Sequence, residues 1–210
     1  MSQTPRRALI VIDVQNEYVD GNLRIEYPDV WTSLANIGQA MDAARFAAIP
    51  VIVVQTVLPE SAPVFAKGTR GADLNVMVTT RPFDHLILKP LPSSFARTGL
   101  LEWLQARSID TLTVCGYMTH NCDDATVKDA VHAGLAVEFL SDASGSLPYA
   151  NRAGSASAEE LHRITTVVMQ SRFAAVLTTA EWIECLREGR APERDSIFGS
   201  NQKAKAAAGK

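Results

Sequence analysis

Histidine is scarce in this chain: four residues, at 85, 120, 132 and 162, fall on different stretches. None lies at ligand spacing from another, so the histidine pairs that hold a transition metal are missing. Cys115, Cys122 and Cys185 are odd in number and unpatterned, which argues against both a disulfide framework and a cysteine zinc site. No apolar run approaches the roughly 20 residues that would span a bilayer. The apolar run behind Arg6 and Arg7 is short and ends in Asp13, too little for the core of a secretion signal. Charge of one sign is lacking too. Twenty Lys and Arg against 23 Asp and Glu give a net charge of −3, and the basic residues are scattered, which excludes a nucleic-acid surface. A cytoplasmic protein with a small-molecule partner, and neither a membrane nor a nucleic acid, is the expectation.

What is present is apolar content, 47% of 210 residues, enough for one substantial α/β core. Continuous, β-branched runs recur at 8–14, 50–56, 84–89, 110–116, 135–141 and 174–179. Their lack of alternation fits strands covered on both faces. Helical patterns lie between them at 30–48, 98–107, 121–133, 157–170 and 179–188. This alternation predicts a Rossmann-like, three-layer α/β/α domain over 6–189, with a doubly wound, six-stranded parallel sheet of order 3-2-1-4-5-6. Two stretches, 57–83 and 142–156, are long for loops and suit lids or subunit contacts. The end, 190–210, is poor in apolar residues. It reads as a flexible tail, or as an arm anchored on a neighbouring subunit by Ile197 and Phe198.

In an open parallel sheet, chemistry gathers beyond the carboxyl ends of the strands. The first run closes with Asp13, the third with Lys89, and the fourth leads through GYMTHNC into a helix. A carboxylate and an ammonium at the ends of apolar strands each need a partner, and a mutual ion pair is the simplest solution. Cys122 would stand in the first turn of a helix, where free N–H groups and the dipole favour a thiolate or an oxyanion. Position alone favours the bland role of a small buried apolar residue, the commonest one for a cysteine. Cys115 and Cys185 fit packing roles. A nucleotide-binding doubly wound protein is disfavoured, because VQNEYVDG rather than G-x-G-x-x-G follows the first strand.

Taken together, LIVIDVQNEY (9–18), LKPLPSSFARTGLLEWL (88–104) and VCGYMTHNCDDATVKDAVHAG (114–134), with a weaker SAEELHRITTVVMQSRFAAVLTT (157–179), resemble the isochorismatase-like cysteine hydrolases. That family includes nicotinamidases, carbamoylsarcosine amidohydrolases and isochorismatases. The ordered combination of D-x-Q, a strand-ending lysine with S-x-F nearby, and G-x-M-T-x-x-C is specific. The resemblance implies that Cys122 is a nucleophile, Asp13 its general base, and Lys89 the partner that holds the carboxylate and lowers the thiol pKa. It implies a cis Tyr117–Met118 peptide that turns the Met118 N–H, beside that of Cys122, toward an oxyanion. Tyr18, Phe95, Tyr117 and His120 would be pocket walls. Dimers or tetramers would be the assembly.

The chain also departs from the family. Nicotinamidases carry an aspartate–histidine metal site after the second strand, where this chain has QTVLPESAPVFAKGTRGADLN without histidine. No metal, no cofactor and a disfavoured nicotinamide substrate are therefore expected. A Cys122–His120 dyad is a weaker alternative to Asp13. Asp123 and Asp124 stand where relatives tend to place an apolar residue. They would stabilise a helix start, yet a charge there would raise the thiol pKa. An edge position for the third strand would put Lys89 about 10 Å, two strand spacings, from Asp13. Hydrolysis of an amide, lactam or ureido C–N bond through a thioester is the function expected. Isochorismate-type vinyl ether hydrolysis and a non-catalytic binding or assembly module are the alternatives.

Overall fold

The computed structural model describes residues 4–209. In chain order it contains β1 (Arg7–Ile12), α1 (Val30–Phe46), β2 (Val51–Thr56), α2 (Val76–Thr79), β3 (His85–Lys89), α3 (Leu100–Gln105), β4 (Thr111–Tyr117) and α4 (Asp124–His132). There follow β5 (Ala136–Gly145), β6 (Tyr149–Asn151), β7 (Gly154–Ala156), α5 (Ala158–Val168), β8 (Ala175–Leu177), α6 (Thr179–Glu188) and α7 (Ile197–Ala207). Six strands form one parallel sheet in the order β3-β2-β1-β4-β5-β8, while β6 and β7 make a separate antiparallel hairpin. Counting sheet strands alone, this is the doubly wound order 3-2-1-4-5-6 expected from the alternation.

The two-sided burial follows from the pleat, which sends successive side chains to opposite faces. Leu9, Val11 and Val53 meet Leu34, Ile37 and Met41 of α1 and Trp182 of α6 on one face. Ala8, Ile10, Ile12 and Val54 meet Leu100 and Leu104 of α3 and Val127 and Ala130 of α4 on the other. Every residue of β1 and β4 is buried. Helix starts are marked by side chains that accept otherwise unpaired N–H groups. Asp29 caps α1, and Ser157 with Glu160 and Thr178 with Glu181 form capping boxes at α5 and α6. α6 stops at Gly189, in the left-handed conformation that glycine adopts without a Cβ clash.

Three elements were not legible as such. α2 falls inside the stretch read as the loop 57–83, the β6–β7 hairpin inside 142–156, and α7 inside the segment read as a tail. α7 buries none of its residues, so no amphipathic stripe announces it. Ile197 and Phe198, at its start, are exposed, and Arg194 just before it reaches the carbonyls of Arg172 and Phe173. Among the described residues, no helix is long and apolar enough to cross a membrane.

A buried polar network ties the sheet to α6. Arg7 at the start of β1 forms a salt bridge with Glu138 of β5 at 2.9 Å, both side chains 3% exposed. Glu138 also accepts hydrogen bonds from Thr113 Oγ1 and Trp182 Nε1, each at 2.8 Å, and Arg7 donates to the Arg190 carbonyl. Removing one member of a buried ion pair typically costs about 3–5 kcal/mol, because the other charge is left without compensation, whereas replacing both by apolar groups is often neutral. Glu138→Leu is therefore expected to lower the unfolding free energy in urea by about 3–5 kcal/mol, with Arg7→Met/Glu138→Leu recovering much of it. A single variant as stable as the double would show that the network contributes nothing.

Candidate active site

β1 ends at Ile12, and the next residue, Asp13, takes a φ of 50°. A left-handed non-glycine residue is uncommon and marks a place where the surroundings dictate the backbone. Here they do: the Asp13 N–H donates to Val54 of β2, and its carbonyl accepts from the Gln15 N–H. Gln15 is fully buried. Its side chain donates to the carbonyls of Thr56 and Ala72 and accepts from the Thr56 N–H. The glutamine of D-x-Q thus fixes the end of β2 and the loop behind it beside Asp13.

Lys89 closes β3 opposite Thr56 in the parallel register. Its side chain passes over the end of β2, and that is how the two-strand gap is closed. Lys89 Nζ donates to Asp13 Oδ2 at 2.7 Å, to Thr56 Oγ1 at 3.0 Å and to Cys122 Sγ at 3.4 Å. All three ammonium hydrogens are used. Thr56 is a contact that sequence reasoning missed. Its only signal was its place at the end of the strand lying between those of Asp13 and Lys89.

Cys122 arrives from the opposite side. β4 passes β1 so closely that a Cβ on Gly116, at φ 120°, would lie 2.1 Å from the Ile12 carbonyl oxygen; only glycine fits. A cis Tyr117–Met118 peptide follows, then a π-helical turn at Thr119–Asp123 that leads into α4. The Met118 carbonyl accepts from the N–H groups of Asn121 and Asp123. The serines of LKPLPSSF brace this helix rather than the cavity. Ser93 donates to Asp129, the Ser94 N–H donates to Thr126 Oγ1, and Thr126 donates to the Cys122 carbonyl.

Asp13, Lys89 and Cys122 thereby meet at the base of a cavity of about 280 Å³ lined by Tyr18, Leu58, Phe65, Met118, Leu147 and Tyr149, among others. Of the four expected wall residues, Tyr18 lines it. Tyr117 is buried behind Tyr18, rings 5.6 Å apart, with its hydroxyl on Ser33. His120 stands behind Tyr149, Nδ1 on Ser146 Oγ, and is not part of the lining. Phe95 faces a different cleft, with Arg97 and Asp129. Leu58, Phe65, Leu147 and Tyr149 come from the two long loops, which carry no motif. Among the described residues no three His, Cys, Asp or Glu side chains converge as a metal site, so the residues present do not fit the nicotinamidase metal.

Residues 7–181 match the family model described as Isochorismatase domain. The chain belongs to the isochorismatase family of hydrolases. It is similar to a crystal structure solved as a candidate isochorismatase from Burkholderia xenovorans LB400, at 60% identity and a TM-score of 0.98, covering 99% of this chain and 100% of that one. It is 30% identical to the uncharacterized isochorismatase family protein YddQ of Bacillus subtilis, over 84% of this chain and 98% of YddQ. A ureidoacrylate amidohydrolase from Methylobacterium radiotolerans is 28% identical over 91% of this chain and 84% of its own length.

The electrostatics of this isochorismatase-family site are dominated by burial. Burial, followed by the Asp13 carboxylate, pushes the Cys122 thiol well above its ordinary range, with Lys89 pulling the other way. Lys89 opposes the rise, as the resemblance implied, but burial and Asp13 outweigh it. Burial also raises Asp13 against the pull of Lys89, and Lys89 is held above the usual lysine range, burial being outweighed by Asp13 and the sulfur. Asp13 Oδ1 is buried and accepts no hydrogen bond among the described residues.

Asp123 turns out fully buried with neither carboxyl oxygen hydrogen-bonded, and it lies outside the cavity lining. Burial and then Asp13 raise it well above the carboxylate range, which favours its uncharged form and weakens any negative charge it brings to the thiol. Because its folded pKa exceeds its unfolded value, its contribution to stability is complete at acid pH and is lost as pH rises toward the folded pKa. Asp123→Asn removes that loss. Its stability relative to wild type, read from urea unfolding across pH, is expected to grow steadily from the ordinary carboxylate range upward. A pH-independent difference would mean that Asp123 is ionised in the folded protein.

Proposed function

We propose that this protein is a cysteine hydrolase that cleaves the C–N bond of a small amide, lactam or ureido compound through a Cys122 thioester. The observation that carries the reading is the single ammonium of Lys89 within hydrogen-bonding distance of both Asp13 and Cys122, beside a mostly apolar cavity. The ureidoacrylate amidohydrolase among the relatives supports a C–N bond as the target.

Asp13 takes the thiol proton as sulfur attacks the carbonyl carbon, so that the charged thiolate exists only while it reacts. The oxyanion accepts from the N–H groups of Met118 and Cys122. Asp13 passes its proton to the leaving nitrogen as the C–N bond breaks. A water then attacks the thioester and gives a proton to Asp13. That proton returns to sulfur as the acid departs. Lys89 keeps Asp13 oriented and balances the charge that moves between carboxylate and sulfur.

Cys122→Ala is expected to abolish hydrolysis while leaving the melting temperature close to wild type. Asp13→Asn and Lys89→Met should each lower kcat/KM by about 10²–10⁴-fold, the usual worth of a general base. Since Asp13 must be ionised to accept the proton, wild-type kcat/KM should climb with pH, its midpoint lying above the ordinary carboxylate range. Mass spectrometry of the quenched enzyme should find the acyl group on the peptide containing Cys122. Undiminished hydrolysis by Cys122→Ala would sink the assignment.

A further inference from the structure

The chemistry above requires a carbonyl over Cys122, and the cavity walls restrict what that carbonyl is attached to. The lining is overwhelmingly apolar: Leu23, Leu58, Phe65, Leu91, Met118 and Leu147 contribute most of it, with Pro90 and Pro92 at one side. Among the described residues Lys89 is the one cation in it, and its three N–H donors are already spent on Asp13, Thr56 and Cys122. Its ammonium is paired with the Asp13 carboxyl at 2.7 Å. The centre therefore offers a ligand no unpaired cation. The remaining polar groups are neutral: the Asn121 amide and the hydroxyls of Tyr18 and Tyr149, whose phenols are raised by burial. Arg70, in the cleft beyond Val64 and Phe65, is held by both oxygens of Asp20 at 2.6 and 2.7 Å.

A carboxylate entering this cavity would lose its hydration and find no counter-ion, which is the costly way to bury a charge. An apolar body would meet aromatic and aliphatic walls, with Asn121 and the tyrosines left to orient a neutral polar end. We propose that the substrate is an uncharged carbonyl compound, a small amide carrying an aryl or branched-alkyl body, and that the cavity selects against carboxylate-bearing analogues. Isochorismate and ureidoacrylate, both of which carry carboxylates, are thereby disfavoured. This inference rests on the reading of Cys122 as nucleophile and adds to it the class of substrate.

A matched pair of aldehydes tests it, benzaldehyde and 4-formylbenzoate, which differ only by a carboxylate. Each adds reversibly to the thiol: the S–C bond forms, the C=O double bond opens, and the thiol proton ends on the former carbonyl oxygen. The readout is protection of Cys122 from iodoacetamide, followed by peptide mass spectrometry, with the buried Cys115 and Cys185 as internal controls. Benzaldehyde is expected to protect at a concentration lower by about tenfold or more, and benzamide to release ammonia faster than 4-carbamoylbenzoate. Leu91→Arg, which places a cation at a lining position 38% exposed to solvent, should narrow the difference by improving 4-formylbenzoate alone. Equal or better protection by 4-formylbenzoate, or protection by neither aldehyde, overturns the proposal. Failure of the underlying reading has a separate signature, turnover retained by Cys122→Ala.

Discussion

The ion pair between Lys89 and Asp13 is the constraint around which the carboxyl end of the sheet is arranged. Both side chains are wholly buried, and two charges removed from water keep their ionised forms only if their geometry and remaining hydrogen bonds offset the desolvation. The structure meets that demand from three strands. β1 delivers Asp13 in a left-handed conformation, β2 supplies Thr56 as the third point of contact, and β3 supplies Lys89 from the sheet edge. Gln15, by holding both the N–H and the carbonyl of Thr56, keeps the middle strand in register with the pair. Gly116 lets β4 close in on Ile12, so that the fourth strand carries Cys122 to the same point.

Burial governs the charges in this arrangement. It raises the pKa of the Cys122 thiol, and the Asp13 carboxylate disfavours a thiolate further, while Lys89 pulls the other way. The proposed proton transfer from sulfur to Asp13 in concert with attack suits that balance better than a standing thiolate would. Asp123 extends the pattern. An acid directly after the sulfur opposes a thiolate when charged, and complete burial pushes Asp123 toward its uncharged form.

Much of the fold was legible because it rests on local patterns. The β-branched runs became the six sheet strands within a few residues, and the helical patterns at 157–170 and 179–188 became α5 and α6. α7 escaped because it buries nothing, and the β6–β7 hairpin because its strands are short and mostly exposed. The Arg7–Glu138–Trp182 network also escaped notice, since its members lie up to 175 residues apart along the chain. In the site itself, Asp13, Lys89 and Cys122 stood out as polar or reactive residues at the ends of apolar runs. Phe95 shows the limit of that logic: it belongs to the same motif as Lys89, yet the chain turns between them and Ser93 and Ser94 dock on α4, which carries the ring away from the cavity.

By itself, the sequence determined the layered α/β/α architecture with its strand order, through residue type and periodicity, which are local properties. Its ordered motifs carried the resemblance to the family, and with it the expectation that Asp13, Lys89 and Cys122 act together. Only the tertiary structure decided that Lys89 spans β2 to reach Asp13, that Thr56 and Gln15 hold that bridge, and that Asp123 is buried with its carboxyl pKa pushed upward. The reason is physical. Protonation and hydrogen bonding depend on how much water is excluded and on which groups long-range strand pairing brings within a few ångströms, and neither is written in the neighbourhood of any one residue along the chain.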